Sequence, residues 1–331
     1  MMALHVAEAI LLGLLGIGLL LAAFTWWTAR RVLAALPAQG RMVDAGGVTF
    51  NVLEQGQGQP LVLIHGLAGQ MRHFTYGMVK LLAPHFRVVA IDRPGSGHSV
   101  RPATMAADVS TQAAAIAALL DKLQLGPAVI VGHSLGGAIA LTLAVEQPRC
   151  VAGLALVAPL THLPPDAAPP EAFRALTVET GWLRALFAWT LVVPATMAGS
   201  RAVLEQVFGP EAVPGDFAGR GGGLMSLCPH QFIAASRDMQ AVTARLPAVS
   251  ARYRDLCIPV RVLFGRQDRI LDWKKNGQAL ADTAPQAKLT LVDGGHMLPI
   301  TQVEATVAFI ESAVRDMGIQ ADVQAGVQVD N

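Results

Sequence analysis

The chain has 331 residues, 53% of them hydrophobic and 15% charged, with a formal net charge of +1. That length suits about two domains of ordinary size, and so apolar a composition excludes an intrinsically disordered chain. The 25 basic and 24 acidic residues interleave without long blocks, so no electrostatic footprint for nucleic acid is present. Cys150, Cys228 and Cys257 are odd in number and widely spaced. They exclude a disulfide scaffold and a zinc ribbon and suit a reduced compartment.

The first element is an apolar helix. Residues 9–29 run for 21 positions without a charge, about 31 Å of helix, close to the hydrocarbon thickness of a bilayer. Trp26 and Trp27 stand at its end, where indoles favour the headgroup layer, and Arg30 and Arg31 follow. A secretory signal would have a basic n-region and a shorter apolar core, whereas His5 and Glu8 precede a long one here. A buried core helix would show a polar face. The pattern predicts a single-pass membrane anchor over residues 1–31, in contact with lipid through 9–29, and a linker over 32–45. Arg30, Arg31 and Arg41 all follow the span, so the positive-inside rule predicts a cytoplasmic catalytic domain.

Short apolar runs then alternate with helical stretches. The runs cover residues 48–53, 61–64, 87–91, 128–131, 151–157, 260–264 and 289–292. Between them, helical patterns cover 71–82, 105–123, 135–146, 273–280 and 302–314. Such alternation predicts a parallel sheet covered by helices on both faces, with ligands bound outside the carboxyl ends of the strands. The pattern breaks between Leu160 and Leu256, where helical pieces and Pro- and Gly-rich loops predict a cap. The expected domains are therefore a core of 46–160 and 257–318, a helical cap of 161–256 and a frayed tail of 319–331.

Four strand-end loops carry chemistry. The sequence Gly132-His-Ser-Leu-Gly136 lies between an apolar run and a helical one. A serine on such a turn takes strained backbone angles, and glycines make the room, so Ser134 is the candidate nucleophile. A hydroxyl needs a base. His296, in the glycine-rich loop Asp293-Gly-Gly-His296, is the best-placed histidine, with His133 read as structural. The base needs a carboxylate to fix its tautomer, and Asp268 sits at the tip of Gly265-Arg-Gln-Asp268, with Asp272 the runner-up. In the loop after residues 61–64, His65-Gly66 turns the chain so that the Leu67 N–H faces the cleft beside that of Leu135. Those two donors form the candidate oxyanion hole. His65, Gly66, Gly132 and Gly136 are expected to support the two loops.

These motifs, with the loop Ile91-Asp-Arg-Pro-Gly-Ser-Gly-His-Ser99, resemble the α/β-hydrolase family over residues 46–317. The resemblance implies a mostly parallel eight-stranded sheet with the cap inserted after the sixth strand. Ser134 argues against the relatives that use an aspartate nucleophile. An anchor joined to this core looks like membrane-bound monoacylglycerol lipases and related esterases.

The expected activity is serine hydrolysis of carboxylic esters, of lipid or other apolar acyl groups, through an acyl-enzyme. Residues 185–200 carry no charge. They are too short for a second span and either pack on the core or line an acyl pocket at the bilayer. The alternatives are C–C bond hydrolysis, lactone opening or acyl transfer on the same three residues, or a non-catalytic binding protein. No metal-ligand spacing is evident, and the mechanism requires no cofactor.

Overall fold

In the computed structural model, which describes residues 1–163 and 168–319, the apolar runs become strands because alternate residues enter two separate cores. Val62, Ile64 and Ile130 face one cluster, while Leu61, Leu63, Val129 and Val131 face another. Both faces are therefore dry, which is what near-continuous Val, Ile and Leu runs encode.

In chain order the elements are helix α1 (Met2–Ala35), strands β1 (Arg41–Ala45), β2 (Val48–Gln55) and β3 (Pro60–Ile64), and helices α2 (Arg72–Thr75) and α3 (Met78–Leu82). Then come β4 (Arg87–Ile91), α4 (Val109–Lys122), β5 (Ala128–His133), α5 (Leu135–Glu146) and β6 (Val151–Val157). The inserted segment holds α6 (Gly181–Thr190), α7 (Val192–Phe208) and α8 (Pro229–Ser250). The chain returns through β7 (Val260–Gly265), α9 (Ala279–Thr283), β8 (Ala287–Val292), α10 (Leu298–Thr301) and α11 (Val303–Asp316).

The eight strands form one sheet in the order β1-β2-β4-β3-β5-β6-β7-β8. The β1–β2 and β2–β4 pairs are antiparallel and the rest are parallel. Helices α4 and α5 pack on one face, through Ile116, Leu119, Ile139 and Leu141. On the other face lie α3 and α11, through Met78, Leu82, Val307 and Ile310. Parallel neighbours β5, β6, β7 and β8 deliver their following loops to one edge of the sheet, and the cap segment leaves from β6.

Three expectations need correction. Residues 32–45 are not a linker throughout: α1 continues to Ala35, and Arg41–Ala45 form edge strand β1. Arginine is a good helix former, so Arg30 and Arg31 do not end the helix; their guanidiniums lie 5.0 and 4.9 Å over the Trp26 and Trp27 rings. In β1 Val43 alone is buried, which leaves almost no periodic signal. The helix expected over 71–82 breaks at Gly77, where a Cβ would stand 2.8 Å from Val303 Cγ1 of α11. Residues 274–278 form a π-helical turn leading into α9 rather than an α-helix. Of the tail expected over 319–331, residues 320–331 lie outside the described residues, as do residues 164–167 of the cap.

Helix α1 has two environments. Leu11, Leu12, Leu14, Leu15, Ile17 and Leu20 are exposed, each more than half. From Thr25 onward one side is covered: Ala29, Val32 and Leu36 pack against Val193, Met225, Leu227 and Cys228 of the inserted segment. The helix therefore ends as part of the cap.

Candidate active site

The site is built from the ends of β3, β5, β7 and β8. Ser134 follows β5 with φ +55° and ψ −121°, a conformation unusual for any residue with a side chain. Two glycines allow it. A Cβ at Gly136 would stand 2.1 Å from the Ile64 carbonyl oxygen, and one at Gly132 would stand 2.6 Å from that of Gly136. The elbow is tied down when Ser134 N–H donates to Val157 O (3.2 Å) and its carbonyl accepts from Gly137 and Leu160 (2.8 and 2.9 Å). Helix α5 starts at the next residue, so its N-terminal N–H groups favour negative charge at this point.

The loop after β3 lies against the elbow. A Cβ at Gly66 would come within 2.9 Å of Ser134 Cβ, so only glycine permits this approach. Among the described residues, neither Leu67 N–H nor Leu135 N–H has a backbone acceptor outside the regular elements. Both residues border the cavity that contains Ser134.

His296, almost fully buried, follows β8, and its Nδ1 lies 2.7 Å from Asp268 Oδ2 in the loop after β7. Asp268 is held in turn, with Oδ1 accepting from the N–H groups of Ile270 and Leu271 (2.8 and 2.9 Å). A carboxylate only accepts, so the proton sits on Nδ1 and Nε2 is left as the basic nitrogen. Asp272 accepts from Lys274 N–H instead and takes no part here. Ser134 Oγ makes no hydrogen bond to His296 among the described residues; such contacts often tighten only with substrate. The ring of His133, the residue before the elbow serine, lies 5.0 Å from that of His296.

Three further histidines surround the site in neutral form. His133 donates from Nε2 to His296 O (3.0 Å), holding the loop rather than the substrate, and burial drives its pKa well below the usual value. Burial lowers His73 to about 4, with a smaller contribution from its neighbour His296. His65 is likewise driven down by burial and then by Arg93. Its Nε2 accepts from Arg93 N–H (2.9 Å), so Nδ1 is the protonated nitrogen and donates to Gly66 O (2.9 Å). It supports the Gly66–Leu67 turn.

Four further side chains, Arg93, Asp238, Glu211 and Gln267, anchor the loops of the site. Arg93 is fully buried and donates to the carbonyls of His65 and Gly66, to Gln112 and to Asp238 of α8. Asp238 also accepts from Arg101 (2.6 Å), so one buried carboxylate pins the cap to the loop beside the elbow. Glu211 accepts from Gly295 N–H (3.0 Å) and Gln302, and Gln267 accepts from Gly294 N–H (2.6 Å). These contacts fix the loop that carries His296. Arg93 stood inside a recognised motif, but Asp238 and Glu211 are far from any motif in the sequence.

Comparison with known proteins agrees with this architecture. The family model for the alpha/beta hydrolase fold matches residues 59–303. This chain belongs to the α/β-hydrolase family. A 2-hydroxy-6-oxo-2,4-heptadienoate hydrolase from Pseudomonas putida is 37% identical over 36% of this chain and 44% of its own length. A 2-(acetamidomethylene)succinate hydrolase from Mesorhizobium japonicum is 29% identical over 77% of this chain and 87% of its own. The chain spans less than half the length of the first two curated relatives it matches. Among solved structures, an aryl esterase from Burkholderia cenocepacia, itself described as putative, superposes with a TM-score of 0.70 at 23% identity, over 85% of this chain and all of that one. A membrane phospholipase A superposes at 0.66 and 22% identity, over 97% of this chain and all of that one. At these identities the two structures share the α/β-hydrolase fold with this chain. The second alignment is long enough to reach into α1.

Proposed function

We propose that this α/β-hydrolase cleaves carboxylic esters of apolar acyl groups, with Ser134 as nucleophile, His296 as base and Asp268 as its orienting partner. The observation that carries the reading is the cavity of about 480 Å³ at Ser134. Leu67, Leu135, Leu160, Leu163, Phe173 and Ile270 line it, and among the described residues it has no Lys, Arg or His. Its charged residues are Glu179 and Asp238, both acidic. A pocket lined in this way accepts a neutral acyl chain and offers no cation in its lining to pair a second carboxylate. The heptadienoate and succinate in the names of the relatives carry such a carboxylate, which argues against transferring their substrates here.

In the reaction, His296 Nε2 takes the proton of Ser134 as Oγ adds to the acyl carbonyl. The N–H groups of Leu67 and Leu135 receive the negative charge on oxygen, a contribution of about 2.7–4 kcal/mol per donor in comparable sites. The imidazolium, stabilised by Asp268, then protonates the departing alcohol and leaves an acyl-serine. A water deprotonated by His296 adds to that ester and releases the acid, restoring Ser134.

The same reading makes α1 a membrane anchor. It is a helix of 34 residues, long and apolar enough to cross a bilayer, with its first two-thirds exposed and its end docked on the cap. Arg30 and Arg31 after the span favour a cytoplasmic catalytic domain. Trp182, Leu186 and Trp189 of α6 and Leu191 between α6 and α7 are exposed, and α6 packs against α1, in keeping with a cap that meets lipid.

The purified full chain in detergent is treated with a fluorophosphonate probe and assayed against p-nitrophenyl esters of two to sixteen carbons. Labelling lost in Ser134→Ala and an optimum at medium or long chains support the proposal. An intact protein that never labels refutes the nucleophile. Cleavage confined to acetate esters, or to carboxylate-bearing C–C substrates, refutes the acyl pocket.

A further inference from the structure

A second cavity, of about 360 Å³, opens between the end of α1 at Leu33, the loop of residues 95–101 and the first turns of α8. It shares no lining residue with the Ser134 cavity. One ion pair connects them, since Asp238 borders the first and Arg101 the second. His98 donates from Nε2 to the Leu36 carbonyl (2.9 Å) and His230 from Nε2 to that of Gly97 (2.9 Å), which fastens the loop to α1 on one side and to α8 on the other.

The charge around this cavity is one-sided. Arg101 and Arg237 line it together with the two histidines, and no Asp or Glu does so among the described residues. Asp238 faces two buried guanidiniums, Arg93 and Arg101, so this buried trio carries an unbalanced positive charge. Asp92, the nearest carboxylate along the loop, accepts from the Met71 and His98 N–H groups and from Asn51. Arg237 commits one amino group to the carbonyls of Ala103 and Met105. Its remaining N–H groups have no protein acceptor among the described residues.

Arg101 supplies the second, independent sign. It is 9% exposed, yet its Nε has no hydrogen-bond partner. That atom lies 3.4 Å from the place where a Cβ on Gly95 would stand, and Gly95 borders the cavity with φ +84°. The unpaired donor thus stands beside Gly95, in the wall of the cavity. Buried donors are almost always paired, and charge-assisted bonds from guanidinium to phosphate are among the strong ones.

We propose that this cavity is a binding site for a phosphate-bearing anion, with Arg237 and Arg101 as its donors. Leu33 lies six residues after Trp27, about 9 Å along the helix. With α1 in a bilayer, that places the cavity at headgroup depth and makes a phospholipid phosphate the fitting source. Only this choice of source rests on the membrane reading.

The test is isothermal titration of the full chain in a neutral alkyl maltoside at constant ionic strength. The probes are sodium phosphate, dihexanoyl phosphatidylglycerol and dihexanoyl phosphatidylcholine. Saturable binding of inorganic phosphate or of either lipid is expected, weakened at least tenfold in Arg237→Gln and unchanged in Ser134→Ala. Val100→Glu, which sets a carboxylate at the rim on an exposed side chain, is expected to weaken it as much without disturbing the interior. Binding of inorganic phosphate assigns recognition to the phosphate alone; binding of a lipid without inorganic phosphate assigns it to a headgroup held in place by its chains. No binding of any probe, or equal binding in wild type, Arg237→Gln and Val100→Glu, overturns the proposal. Fluorophosphonate labelling of Ser134 is read separately, so the two ideas fail independently.

Discussion

Replacing Asp238 by alanine removes the one carboxylate that faces Arg93 and Arg101, at 2.8 and 2.6 Å, with all three side chains at 2% exposure or less. Arg93 keeps acceptors on His65, Gly66 and Gln112. Arg101 keeps only a long contact of 3.4 Å to the Ala234 carbonyl. Breaking a buried pair in this way costs about 3–5 kcal/mol, because a charge is left without compensation. At roughly 2–4 °C per kcal/mol for a domain of this size, the unfolding midpoint falls by about 6–20 °C. Thermal unfolding of the full chain in detergent, followed by circular dichroism, measures it. Asp238→Asn, which keeps the shape and loses the charge, falls between the two. A midpoint within about 2 °C of wild type in Asp238→Ala would refute the reasoning, since it would mean that water already reaches the guanidiniums.

Asp268→Asn is expected to lower kcat by about 10⁴ with little change in stability, since the amide selects the wrong tautomer of His296; steady-state ester hydrolysis reads the first and thermal unfolding the second. Gly136→Ala forces a Cβ to 2.1 Å from the Ile64 carbonyl and is expected to yield little folded protein, as judged by soluble expression. His65, His73 and His133 are neutral when folded, with His73 lowered to about 4, so the unfolded chain binds more protons below the free histidine value near 6.5. Stability is therefore fully present above about pH 6.5 and falls as the pH drops toward 4, by up to about 1.4 kcal/mol per unit for each histidine; urea midpoints across that range show it. Removing residues 1–24 leaves the docked turn of α1 in place and keeps the fold, whereas removing 1–38 uncovers Val193, Met225 and Leu227 and promotes aggregation, visible by size exclusion.

The sequence revealed the parts of the fold in which one short segment carries its own constraint. The Gly132–Gly136 elbow, the Asp268 turn and the His296 loop each follow a strand directly and carry glycines at the point of closest approach, so the pattern shows in a few adjacent letters. Strand β1 was not visible because an edge strand with one buried side chain has no alternation to read. The break at Gly77 depends on Val303, more than two hundred residues later, and the length of α1 depends on Met225 and Leu227. Asp238 and Glu211 escaped for the same reason: each acts on a loop distant in the chain, and nothing in its own neighbourhood distinguishes it from a surface acid.

The docking of α1 onto Val193, Met225 and Leu227 turns the amino-terminal segment into a rigid post bolted to the roof of the enzyme. Whatever grips the exposed first two-thirds of that post sets the tilt of the roof directly, ahead of the sheet below. A shift of that post reaches Val193, Met225 and Leu227 of the inserted segment before it reaches any strand.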